Sequence, residues 1–91
     1  MKSKRKLKIA DTELARWLDQ AMATWQDPET GRSGISGNEL ANISGVRRTS
    51  IHNIMTQGAI PTGETLTKIA RALGEDPQQA FQRAYLEPVN D

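Results

Sequence analysis

Apolar positions recur along the chain at helical rather than strand spacing. Leu14, Trp17, Leu18, Ala21, Met22 and Trp25 fall at i, i+3, i+4, i+7, i+8 and i+11, one stripe of an amphipathic helix. The spacing predicts a first helix over Ala10–Trp25. Asp11 and Glu13 would sit in its first turn, where the helix dipole favours negative charge. Both tryptophans read as core or near-core side chains rather than a ligand cage. Asp27–Gly34 is a loop by composition, with Asp-Pro and two glycines. Ser36 and Glu39 then have capping-box spacing, which starts a second helix that ends near Gly45. A third helix is expected from about Arg48 to Gln57, with Ile51 and Ile54 inward. A fourth covers about Gly63–Leu73, carrying Leu66, Ile69, Ala70 and Leu73 inward and stopping at Gly74. Asp76-Pro77-Gln78-Gln79 places a cap, a proline at the first helical position and a glutamine at the third. The fifth helix runs to about Leu86 and is expected to bury Phe81 and Tyr85 or Leu86. No run alternates at period two, so the fold class is all-α.

The chain has 91 residues, a length that fits one domain with one small core. We expect residues 1–9 to be a basic arm, 10–86 the folded domain, and 87–91 a tail or the start of a linker. With no cysteine, disulfide scaffolds, cysteine zinc sites and thiol catalysis are excluded. No apolar run approaches the length of a membrane span, and the basic N-terminus lacks the apolar stretch of a secretory signal. These features describe a soluble cytoplasmic protein. Carboxylates are present, but there is no phosphate-cradling glycine loop and no nucleophile–base set, so no enzyme activity is expected. No cofactor and no small-molecule ligand is indicated. A metal site is not expected either, because His52 is the single histidine.

Net charge is only +1, but its distribution is uneven. Residues 1–8 hold five bases (Lys2, Lys4, Arg5, Lys6 and Lys8) and no acid. Residues 40–63 hold Arg47 and Arg48 and no acid, in a chain with 11 acidic residues. An acid-free window of that length is a candidate surface for a polyanion.

The second and third helices meet inside that window. Their lengths, and the short turn centred on Gly45, match the spacing of a helix-turn-helix unit. Such a unit needs a small residue where the helices cross, and Ala41 is there. It needs a residue tolerant of positive φ in the turn, and Gly45 is there. It needs flanking apolar groups, and Leu40, Val46, Ile51 and Ile54 supply them. Ser44 departs from the pattern at a position that is usually apolar.

On these residues the stretch from Gly37 to Phe81 resembles the Cro/cI-type, λ-repressor-like helix-turn-helix family. The matching signposts are Glu39-Leu40-Ala41, Gly45-Val46, Ile51, Pro61, Leu66, Ile69-Ala70, Ala72-Leu73-Gly74 and Phe81. The resemblance implies a compact five-helix domain whose third helix enters the major groove of DNA. Three departures stand out. Arg47 replaces a Ser or Thr cap, the glycine that usually ends the third helix comes one residue late at Gly58, and Gly58-Ala59-Ile60 lacks the bases often found in the next loop.

With Ile51 and Ile54 inward, Thr49, His52, Asn53 and Thr56 fall on the opposite side of the third helix. Short polar side chains of this kind suit a groove floor, and Asn53 can pair bidentately with adenine. The resemblance places base reading at Arg48, Thr49 and Asn53. Arg48 could equally clamp a phosphate. Arg47 and Ser50 are candidate phosphate contacts. Ser36, Gly37 and Asn38 resemble the family's backbone-anchoring site, where helix-start amides favour an anion, although Ser36 could simply cap its helix. His52 reads as a groove-edge contact or a solvated residue. The basic arm reads as a groove-tracking arm or a solvated tail. A nuclear-import reading of Lys4–Lys8 conflicts with the phage-like domain.

The resulting expectation is a phage or bacterial repressor, or its DNA-binding domain, that binds a double-stranded operator as a monomer or a homodimer in the cytoplasm at the nucleoid. The alternative is an antitoxin of the same fold that also binds a toxin protein.

Overall fold

The computed structural model describes residues 9–85, which form five helices: α1 (Glu13–Thr24), α2 (Gly37–Ser44), α3 (Arg48–Gln57), α4 (Gly63–Ala72) and α5 (Pro77–Tyr85). The basic arm residues Lys2, Lys4, Arg5, Lys6 and Lys8, together with Leu86 and the 87–91 tail, lie outside the described residues. Among the described residues the all-α expectation holds. The only extended pairing there is an isolated antiparallel bridge between Gln26 and Ser33.

Local signals explain most helix ends. Ser36 Oγ accepts from Glu39 N–H at 3.1 Å, and Glu39 Oε1 accepts from Ser36 N–H at 3.1 Å, closing the capping box of α2. Gly45 ends α2 at φ 76° and ψ 14°, a left-handed conformation that disfavours residues with a Cβ. Thr62 Oγ1 caps α4 by accepting from Thr65 N–H at 3.2 Å. Asp76 Oδ1 accepts from Gln78 N–H at 3.0 Å ahead of α5.

The first helix is shorter than its periodicity suggests, because a long-range contact overrides the local pattern. Ala10 donates its N–H to Met55 O at 2.6 Å, at the C-terminal end of α3. The chain therefore turns before it winds, and Thr12 becomes the cap, accepting from Ala15 N–H at 3.0 Å. Asp11 sits outside α1 and instead accepts from the Arg16 guanidinium at 2.6 Å. The Asp27–Gly34 segment is an ordered hairpin rather than an open loop. Asp27 N–H donates to Arg32 O at 2.9 Å and Gly34 N–H to Trp25 O at 2.7 Å.

Leu14, Leu18, Leu40, Ile51, Ile54, Leu66 and Ile69 make up the fully buried centre, and no buried residue is polar or charged among those described. Trp17, Trp25 and Phe81 are half-buried and pack against this cluster. Of the expected alternatives Tyr85 or Leu86, Tyr85 is 48% exposed and Leu86 lies outside the described residues. Ala80 supplies the buried contact of α5, while the Tyr85 hydroxyl donates to Pro61 O at 2.8 Å and pins the helix to the α3–α4 loop. Helix α3 packs on α1 and α2, and α4 packs on α2 and α5. Among the described residues no helix packs on the outer side of α3.

Candidate nucleic-acid interface

Helix α3 seats itself through Ile51, Ile54 and Met55, all buried. At about 100° per residue, Thr49, Asn53 and Thr56 then lie closest to the outward direction. Thr49 is exposed, while Asn53 and Thr56 are half-buried. Thr56 Oγ1 donates to His52 O at 2.8 Å, which fixes its hydroxyl hydrogen and leaves the oxygen as an acceptor.

Arg48 and His52 are exposed on one flank of this crest. That flank borders the start of α2, and Ser36, Gly37, Asn38, Arg48 and His52 line one groove of about 220 Å3, walled by Met22, Ile51 and Met55. Sequence spacing alone did not reveal this juxtaposition, because it depends on how α2 crosses α3. The first-turn amides of α2 have no acceptor within the helix, so Gly37 and Asn38 offer N–H groups beside a guanidinium. Ser50 lies about 200° around the helix from Arg48, on the other flank, and is half-buried. Arg47 occupies the N-cap of α3, is exposed, and makes no side-chain capping bond.

Charge at this surface is set by what is missing from α3 and by how Glu39 is restrained. No acidic residue stands in the first turn of α3. The Glu39 carboxyl is held below the usual carboxylate range by the Ser36 N–H and then by the Arg32 guanidinium, which lies 3.1 Å away. Its charge is therefore committed to the capping box and the Arg32 pair.

The sequence reading places Gln57 at the end of α3, Gly58 after it and Ser44 in the turn, but not what Gln57 and Ser44 do there. The late glycine, Gly58, forms the left-handed end of α3 at φ 73°, so the helix keeps Gln57 as an additional residue. Gln57 is exposed, follows Asn53 at i+4, and places Nε2 3.4 Å from Thr56 Oγ1. The i+4 step from Asn53 was the signal that could have found it. Ser44, the polar residue at a usually apolar position, accepts from Val46 N–H at 3.1 Å and so stitches the turn.

A helix-turn-helix family model matches residues 31–79, just over half of the chain. The class is thus a DNA-binding, transcription-regulating helix-turn-helix domain. More particularly, the chain belongs to the XRE/λ-repressor-like helix-turn-helix family. No curated protein and no solved structure matches it. No helix among the described residues is long and apolar enough to cross a membrane.

Proposed function

We propose that the chain is a sequence-specific reader of double-stranded DNA that acts as a phage or bacterial transcriptional repressor, at the nucleoid in the cytoplasm. The observation that carries this reading is the acid-free crest of α3, on which no helix packs among the described residues, flanked on one side by the helix-start amides of α2. In the proposed complex α3 lies in the major groove. Thr49, Asn53 and Thr56 face base edges, with Asn53 donating to N7 and accepting from N6 of an adenine. Arg48 and His52 sit where one helix meets the other, so they reach the groove edge. There Arg48 contacts guanine or the adjoining phosphate.

The N–H groups of Gly37 and Asn38, with Ser36 ordering their turn, receive a backbone phosphate and fix the register. Arg47 meets the same strand, and Ser50, on the opposite flank, meets the facing strand. The basic arm adds sequence-independent attraction through its five positive charges. Repression follows by occlusion of a promoter, with no chemical step. Two copies on a two-fold operator would set their α3 helices about 34 Å apart.

Selection of bound duplexes from a random pool tests this reading. A recovered motif supports it, and a palindromic one adds the homodimer. Recovery of no preferred sequence overturns it. A toxin protein co-purifying at fixed stoichiometry would move the chain to the antitoxin reading.

A further inference from the structure

A second concave surface lies away from the α3 crest, between the Asp27–Gly34 hairpin and α2. It measures about 440 Å3, has Trp25, Ile35 and Ile43 on its floor, and carries Asp27, Glu29 and Glu39 against one base, Arg32. Ile43 is 53% exposed. It stands one position before Ser44, so α2 gives this apolar side chain to the groove rather than to the core. Arg32 is paired with Glu39 at 3.1 Å, which leaves Asp27 and Glu29 to set the sign of the rim. A polyanion is the wrong occupant for such a surface. An apolar side chain flanked by cations is the right one.

The sequence contains such a segment. Residues 1–8 hold five bases and no acid, and Leu7 stands between Lys6 and Lys8. We propose that this groove receives residues 1–8 of a second copy of the chain, with Leu7 on the apolar floor and Lys6 and Lys8 against the Asp27 and Glu29 rim. The partner must be a second copy because Leu7 is too close to its own anchor. Ala10 is bonded to Met55 O at the α3 end of the molecule, and the groove begins beyond the far end of α1. The 12 residues of α1 span about 18 Å at 1.5 Å each, whereas three residues reach about 10 Å. At each junction one copy's groove receives the other copy's arm. It does not depend on the DNA reading.

Sedimentation of the full chain without DNA, over a range of concentrations and at low and high ionic strength, tests the proposal. Association is expected at low ionic strength and should weaken as salt screens the rim. Glu29→Lys, which disables the groove, and the double change Lys6→Glu with Lys8→Glu, which disables the arm, should each weaken self-association by about tenfold or more, or roughly 1.4 kcal/mol. Leu7→Ser should act in the same direction. Circular dichroism should show unchanged helix content, since Glu29 is exposed outside every helix and residues 6–8 precede the first one. Mixing the Glu29→Lys chain with the arm-reversed chain joins an intact arm to an intact groove, and a one-to-one complex should reappear. A chain that stays monomeric at every concentration overturns the proposal. So does association indifferent to both variants, or a mixture that fails to pair.

Discussion

Helices α3 and α4 have the same length, 10 residues each, and both bury an apolar stripe, yet their outer faces differ in kind. Helix α4 is built for its own stability. Thr62 caps it, Glu64 stands in its first turn and Arg71 in its last, and Lys68 lies 3.8 Å from Glu64. Each of these complements the helix dipole or its neighbours. Helix α3 has no side-chain cap, no acid in its first turn, and Arg47 and Arg48 at the end where the dipole is positive. That arrangement opposes the helix by itself and suits an anion supplied from outside. The contrast teaches that α3 lacks the negative charge its own start favours, which is the charge the proposed DNA complex would supply.

Substitutions can break or sharpen this contrast. The largest effects should fall equally on both helices, because their inner faces serve the same core. Ile51→Ala and Leu66→Ala should each lower unfolding free energy by about 2–5 kcal/mol, read by denaturant titration. A clear asymmetry would mean that α3 is not seated as α4 is.

The outer faces should then separate. Asn53→Ala should weaken binding to a selected duplex by about 1–3 kcal/mol while leaving the unfolding midpoint in place. The matched change Lys68→Ala in α4 should leave DNA affinity unchanged. Equal losses from the two variants would erase the distinction.

Smaller still, and opposite in its two readouts, is Arg47→Ser. It supplies the cap that α3 lacks and should stabilise the fold by about 1 kcal/mol. It should also weaken DNA binding to all sequences and reduce the salt slope by about one. A variant that loses stability would show that Arg47 already serves the helix.

The smallest effect concerns acid. The folded-state Glu39 carboxyl titrates below its ordinary value of 4.5 because Ser36 N–H and Arg32 favour the charged form. Its stabilising contribution is therefore complete above that value and disappears as pH falls through the depressed one. Glu39→Gln should melt earlier than the parent at neutral pH, and the two melting temperatures should converge in strong acid. Parallel curves across the range would contradict the assignment.

What could be read from the sequence divides along the same physical line. The start and end of α2, the span of α3 and the start of α4 depend on side chains within four residues of the boundary: Ser36 with Glu39, Gly45, Gly58, and Thr62 with Thr65. The inward stripe of Ile51 and Ile54, and with it the crest of Thr49, Asn53 and Thr56, follows from 3.6-residue periodicity. Features that join distant residues were not legible. Helix α1 starts late because Ala10 reaches Met55, and Tyr85 stays outside because its hydroxyl finds Pro61 across 24 positions. Arg48 and His52 share a groove with Ser36–Asn38 only once α2 and α3 have crossed. The outward turn of Ile43 beside Trp25 has the same tertiary origin.

Titration of 15N-labelled protein with a selected duplex, followed by amide chemical shifts, probes the proposed role of α3 most directly. The amides of Gly37, Asn38, Thr49, Asn53 and Thr56 should move together and saturate with one affinity, while those of Glu64, Lys68 and Arg71 stay in place. Shifts centred on the outer face of α4, with α3 unmoved, would contradict the account.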